Sequence, residues 1–169
     1  MSDLQSLLTD FAAARVALVE RHEASARAVS HYDFNNTYQY VISREETHLS
    51  WLGSALTEIG AALPAASRAL DVPPAAKPGK KSKQGSADIF RDILADDATQ
   101  LTSFVERWRP RVAALTHARH RIMLDVILGE SAEHARLFQQ AASGFEDVLG
   151  RRTGGVARQG EVLPTRWLE

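Results

Sequence analysis

A glutamate and a histidine three residues apart, Glu45 and His48, are the side chains of this sequence best suited to chemistry. On a helix, residues at i and i+3 stand on the same face. Counted at about 100° per residue, Glu45 falls at the centre of an apolar stripe and His48 on its flank. Because an unpaired buried charge is very costly, a carboxylate in that position requires a cationic side chain or a metal ion as its partner.

Ionisable side chains also fall on the apolar stripes of three other predicted helices. They are His22 in the first, Asp97 in the third, and Glu130, Glu133 and His134 in the fourth. Measured from the helix midpoints, all seven candidate ligands lie within about five residues of mid-height, or roughly 7 Å. Seven ionisable groups at one height of a core would be costly as structural filler, and a metal ion would neutralise them.

These side chains are positioned by four predicted helices, in which apolar residues recur at intervals of three and four. Pro110 predicts a kink in the third helix, and Gly150 is the expected C-cap of the fourth. The predicted helices cover residues 3–30, 34–62, 87–115 and 117–149. Together they indicate an all-α chain.

The second and third helices are separated by residues 64–86, which are rich in Pro, Gly and Lys and have no apolar period. This composition predicts a mobile connector. About 23 residues can span some 75 Å when extended, whereas a helix of about 28 residues is roughly 42 Å long. The connector can therefore return along the whole bundle, which predicts parallel second and third helices. Residues 1–150 form one bundle domain in this interpretation, and residues 151–169 form a loose tail.

Composition excludes several classes of function. The chain has 169 residues, 44% of them apolar and 24% charged, with a net charge of −1, so no electrostatic footprint for nucleic acid is present. It has no cysteine, which excludes disulfides, thiolate metal sites and cysteine nucleophiles. The start of the sequence lacks a signal-peptide pattern, and no apolar run approaches the roughly 20 residues that span a bilayer. We therefore expect a cytoplasmic protein without membrane or nucleic-acid partners.

With these residues and this connector, the chain resembles the ferritin-like superfamily of di-iron carboxylate bundles over residues 3–149. That pattern has a Glu from each of two helices and a Glu-x-x-His from each of the other two. Glu45-x-x-His48 matches one pair, and Glu130-x-x-Glu133 resembles the all-carboxylate variant of rubrerythrin-like proteins. The sequence departs from the pattern at Asp97, which is shorter than Glu, and in the first helix, where His22 stands on the core face.

The resemblance implies a four-helix bundle with a long crossover between helices 2 and 3. It implies two iron ions, with manganese or zinc as alternatives, and an oxidoreductase or storage role toward oxygen, peroxide or iron. Glu45 and Glu130 would bridge the metals, with His48 and His134 as terminal ligands. It is also compatible with a homodimer or a larger homo-oligomer.

Two other interpretations remain open. In the first, His22, His48 and His134 form a mononuclear site resembling that of three-histidine DinB-like bundles, for which zinc or nickel is favoured. In the second, the chain is a metal-free helical interaction protein whose polar core residues pair with one another. Asp97, for example, could form a salt bridge with Arg15, which shares the apolar face of the first helix, or with Arg111.

Overall fold

Four helices make up most of residues 3–65 and 83–150, the part of the chain described by a computed structural model. No strand occurs among these residues. The helices are α1 (Asp3–Ala28), α2 (Tyr32–Glu58), α3 (Lys83–Ala113) and α4 (Ala118–Ala142). The predicted all-α, four-helix fold is confirmed at this level. Residues 66–82 of the predicted connector and the predicted tail at 151–169 lie outside the described residues.

The directions of the helices follow from the ion pairs that join neighbouring helices. These are Asp10–Arg111 and Arg21–Asp97 between α1 and α3, and Arg44–Glu130 and Glu58–Arg119 between α2 and α4. In both sets the numbers rise along one helix as they fall along the other, so both pairs are antiparallel. Short turns also make α1 and α2, and α3 and α4, antiparallel. It follows that α2 and α3 run parallel, as the sequence predicted.

One end of the core is packed with aromatic rings. Phe11 of α1 meets Phe104 and Trp108 of α3 edge to face, with ring centroids 5.1 and 5.0 Å apart. Each such pair contributes about 0.5–1.5 kcal/mol beyond the area that it buries. This packing holds α1 against α3 and fixes the rotation of α1, so that Arg15, one helical turn further on, also points into the core.

The turn between α1 and α2 is held by one side chain. Asn35 donates through Nδ2 to the carbonyl oxygens of Ala26 and Val29, at 2.8 and 3.1 Å. The last carbonyls of a helix have no partner within it, so this amide satisfies the end of α1 from the first turn of α2. The two helices are thereby locked at a fixed angle next to the turn.

Several predicted boundaries need correction. Helix α2 runs over Tyr32–Glu58 instead of 34–62, and α3 begins at Lys83, inside the predicted connector, and continues through Pro110 to Ala113. Helix α4 ends at Ala142 instead of 149, so Gly150 is not its C-cap. The early end of α4 coincides with Gly144, whose φ of 98° is a left-handed conformation that glycine adopts without strain.

The predicted apolar stripe of α4 is also rotated from the buried face. Ile122, Val126 and Phe145 follow the apolar period of the predicted fourth helix but are 61, 44 and 58% exposed. The buried positions of the helix are Leu124, Ile127, Leu128, Ser131, His134, Ala135, Leu137, Phe138 and Ala141. Because apolar residues occur on two neighbouring sides of α4, their average direction misplaced the core face by roughly 60°.

No helix in the described part of the chain is both long enough and apolar enough to cross a membrane.

Candidate functional site

The centre of the bundle holds a buried ion pair between Arg15 of α1 and Glu45 of α2. Arg15 donates through Nη1 to Glu45 Oε1 at 2.8 Å, and both side chains are fully buried. The other guanidinium nitrogen, Nη2, donates to Ser131 Oγ on α4, and the guanidinium lies 4.5 Å from the centre of the Phe104 ring of α3. All four helices therefore enclose this one cation.

Glu45 has a second partner on α1. Its Oε2 lies 2.8 Å from His22 Nδ1, so both carboxylate oxygens are engaged. Burial by itself would raise the pKa of Glu45, but the neighbouring His22 and Arg15 lower it below its ordinary value. The carboxylate is therefore held in its charged form at the middle of the core.

A second cluster lies at the edge of the core between α2 and α4. Arg44 donates two hydrogen bonds to Glu130, from Nη2 to Oε1 at 2.7 Å and from Nε to Oε2 at 3.1 Å. His48 Nε2 lies 2.9 Å from Glu130 Oε2. Arg44 and Glu130 are 36 and 30% exposed, whereas the His48 side chain is fully buried. Hydrogen bonding to Arg44 lowers the pKa of Glu130. Glu130, which falls on the apolar stripe of the predicted fourth helix, therefore lies at the rim of the core and not inside it.

A third cluster joins α1, α2 and α3. Asp97 is buried and accepts hydrogen bonds from Arg21 and from the hydroxyl of Tyr38, the latter at 2.6 Å. Asp96, which is half exposed, also pairs with Arg21. Burial first, and then the charge of Asp97, raises the pKa of Tyr38 well above its ordinary value, so this tyrosine stays a neutral donor. Asp97 forms its salt bridge with Arg21, not with the predicted Arg15 or Arg111.

The three core histidines carry ring nitrogens without a hydrogen-bond partner. These are His22 Nε2, His48 Nδ1 and His134 Nδ1. His134 stacks beside His48, with ring centroids 6.2 Å apart. Burial lowers the pKa of His134 to about 4 and lowers that of His48 as well, so both imidazoles are neutral at pH 7.

Glu133 lies outside these clusters. Its carboxylate is 53% exposed and pairs with Arg136 on the same helix, so its predicted place on the apolar stripe of the fourth helix is wrong. The cause is the rotation of α4, which turns residue 133 outward and residues 131 and 134 inward. Of the predicted residues, His22, Glu45, His48, Asp97 and His134 are buried, but in three clusters instead of one.

The donor set of the core does not fit a ready-made metal centre. Each core carboxylate is paired with its own arginine: Glu45 with Arg15, Glu130 with Arg44 and Asp97 with Arg21. Within residues 3–65 and 83–150, three potential ligand atoms come within 4.8 Å of one another only at His31, Asp33 and Glu146, at one end of the bundle. A metal ion bound through one of these carboxylates would have to displace a guanidinium.

The sequence interpretation missed Arg15, Arg44 and Ser131 as parts of the site. Two signals were available. Arg15 stands on the apolar face of its helix, where a buried cation requires a buried anion. Ser131 stands three residues before His134, the spacing that separates Glu45 from His48. On α4, a hydroxyl therefore takes the place that a carboxylate has on α2.

Comparison of the chain with protein-family models, with curated proteins and with solved structures found no match.

Proposed function

We propose that this chain is a ferritin-like bundle whose core works without a metal ion, and that it acts as a helical interaction protein and not as a di-iron oxidoreductase. The observation that supports this proposal is Arg15, a fully buried guanidinium between Glu45 and Ser131. It supplies, at the centre of four helices, the positive charge that the resemblance assigns to metal.

The physical argument rests on charge and on occupied donors. A guanidinium is not deprotonated in proteins, so Arg15 keeps its positive charge. A divalent ion beside it would meet strong repulsion in a core of low dielectric constant. Both oxygens of Glu45 already have partners, and the carboxylates at the other two clusters are held by Arg44 and Arg21. With three acid–arginine pairs, the core is close to electrically balanced without metal.

An interaction role is supported by the surface of the described helices. Ile122 and Val126 are exposed on α4, and Tyr32 and Tyr40 are 77 and 38% exposed on α2. Exposed apolar side chains become informative when they are grouped, since large patches mark contact surfaces. Ile122 and Val126 lie one turn apart on the same side of α4.

Metal binding in the core is the second candidate function. It is favoured by the ring nitrogens of His22, His48 and His134, which are buried without a hydrogen-bond partner. Neutral imidazole is the form that binds metals, and a lowered pKa keeps His134 and His48 neutral. In this alternative, two iron ions or one zinc ion would take up these nitrogens after Arg15 had moved.

Metal loading distinguishes the two candidates. The tag-free chain is stripped with a chelator, incubated anaerobically with two equivalents of ferrous ion, desalted and exposed to oxygen. The proposal expects that Glu45→Ala and His134→Ala retain as much iron as the wild-type chain, and that no ferric absorption band depends on these two residues. Two retained irons that are lost in both Glu45→Ala and His134→Ala would overturn it.

The role of Arg15 is tested by stability. Arg15→Met keeps about the same volume but leaves Glu45 buried without its guanidinium partner, so we expect a loss of about 3–5 kcal/mol in the free energy of unfolding. Arg15→Met combined with Glu45→Gln removes both charges and should recover much of this loss. Arg136→Ala, which breaks an exposed pair, is the matched control and should have no measurable effect. An Arg15→Met chain as stable as wild type would contradict the assignment.

A further inference from the structure

A group of potential metal ligands lies at the end of the bundle, away from the core clusters. His31 stands in the turn before α2, Asp33 in the first turn of α2, and Glu146 shortly after α4. One imidazole nitrogen and two carboxylate oxygens from these residues all lie within 4.8 Å of one another. Two separate parts of the chain are thus brought to one point by the fold.

We propose that His31, Asp33 and Glu146 bind one divalent transition-metal ion of the zinc type, and that this ion ties the start of α2 to the segment after α4. A mixed set of imidazole and carboxylate donors suits Zn²⁺, Mn²⁺ or Fe²⁺. Ca²⁺ and Mg²⁺ are instead bound by oxygen donors. The site is independent of the core and requires no movement of Arg15.

The spacing of the donor atoms fits this assignment. His31 Nε2 and Glu146 Oε1 are 3.5 Å apart. That is longer than an N–H···O hydrogen bond, which spans about 2.7–3.2 Å. Two donors bound to one zinc ion at about 2.1 Å in tetrahedral geometry are separated by about 3.4 Å. The two atoms therefore stand at the separation of two ligands of one ion and make a poor direct contact.

Packing against a neighbouring ring holds the His31 side chain in place. The His31 ring stacks on Phe34, with ring centroids 4.2 Å apart and planes inclined by 29°. Although His31 occupies the N-cap position of α2, its side chain makes no capping hydrogen bond, so Nε2 is not engaged with the helix end. A stacked ring with a fixed direction loses little conformational freedom when it binds an ion.

The two acidic residues of the group differ in exposure: Asp33 is half-buried and Glu146 is exposed. Asp33 is carried by the first turn of α2, and Glu146 follows the left-handed turn at Gly144, which redirects the chain after α4. An adjoining cleft of about 310 Å³ is lined by Asp33, Asn36, Glu146 and Asp147 among others. An ion can reach the site through this cleft, and water can complete its coordination.

Zinc binding to the whole chain tests the proposal. The chelator-treated protein is titrated with ZnCl₂ by isothermal calorimetry, and we expect one saturable site. His31→Ala and Glu146→Gln should each weaken binding by at least tenfold, whereas the matched controls His117→Ala and Glu106→Gln, both at exposed positions, should bind as wild type. Circular dichroism confirms that each variant is folded.

A readout on the wild-type chain avoids dependence on the variants. Zinc should shift the amide resonances of residues 31–34 and 144–147 first and leave those around residues 45 and 134 unchanged. Absence of saturable binding, or wild-type affinity in His31→Ala, would overturn this site. Loss of zinc in His48→Ala or His134→Ala instead would place the ion in the core and overturn the proposed metal-free core, so the two failures can be told apart.

Discussion

At the scale of single residues, the core histidines are governed by burial. Burial lowers the pKa of His134 to about 4, because the charged form would lose its hydration. In the unfolded chain the same side chain has a pKa of about 6.5. Between these values the unfolded state binds more protons than the folded state, so stability must rise with pH through this window.

We therefore expect the free energy of unfolding to increase by roughly 3 kcal/mol between pH 4 and pH 6.5 through His134 alone, with His48 acting in the same direction. Glu45 affects stability at lower pH. Because its pKa is lowered in the folded state, its contribution to stability is lost only as the pH falls below the ordinary pKa of a glutamate. Urea unfolding at half-unit pH steps measures the slope. His134→Gln should flatten the curve, and the exposed His117→Gln should not. Equal slopes in wild type and His134→Gln would refute the prediction.

A helical wheel was enough to predict which residues are buried, but not which side chains they contact. The wheel placed His22, Glu45, His48 and Asp97 on buried faces, and all four are buried. The wheel could not predict their partners, because the long side chain of an arginine on a neighbouring helix can reach a residue at a different level of the bundle. The sequence therefore indicated a cation for Glu45 without identifying Arg15.

At the scale of elements, the turn between α1 and α2 depends on the Asn35 side chain. Asn35→Ala removes the hydrogen bonds to the carbonyl of Ala26, in the last turn of α1, and to that of Val29, just after the helix. We expect a loss of about 1–2 kcal/mol in the free energy of unfolding, since unsatisfied polar groups at a helix end are costly. Thermal or urea unfolding gives the value. Asn36→Ala is the matched control, and an equal loss in both variants would show that the Asn35 bonds are unimportant.

The elements themselves could be predicted well and their ends less well. Apolar periodicity gave four helices, whose existence the fold confirms. The end of α4 was placed seven residues too late because Phe145 continues the apolar period beyond Ala142. Periodicity does not register that Gly144 adopts a positive φ, which ends the helix before the pattern stops.

At the scale of the whole molecule, parallel α2 and α3 require a crossover of the full bundle length. Helix α2 ends near the start of α4, where Glu58 pairs with Arg119, whereas α3 begins at the opposite end. The 31 residues of α3 span about 46 Å at 1.5 Å per residue. The end of α2 and the start of α3 are therefore separated by about the length of the bundle.

Replacing residues 61–82 by six residues should therefore prevent the four helices of one chain from forming the wild-type bundle. Such a linker reaches only about 20 Å, so we expect an aggregated chain or an assembly that exchanges hairpins between copies. Size-exclusion chromatography with light scattering compares the mass with that of the wild type. Replacing the same residues by a Gly/Ser linker of equal length is the control and should give wild-type mass and helicity. Wild-type mass and helicity with the short linker would contradict the directions assigned to α2 and α3.

The sequence positions of the arginines and their partners also suggest an order in which the contacts form during folding. Within the first hairpin, Arg15 and Glu45 are 30 residues apart, whereas the bonds from Arg21 to Asp97 and from Arg15 to Ser131 join residues 76 and 116 positions apart. Contacts between distant residues form later because closing the intervening loop costs more entropy. The hairpins can thus form early with their guanidinium groups still hydrated. We infer that Arg15 and Arg21 lose their water in the docking step, which places the main barrier to folding at the closure of the two hairpins over these charges.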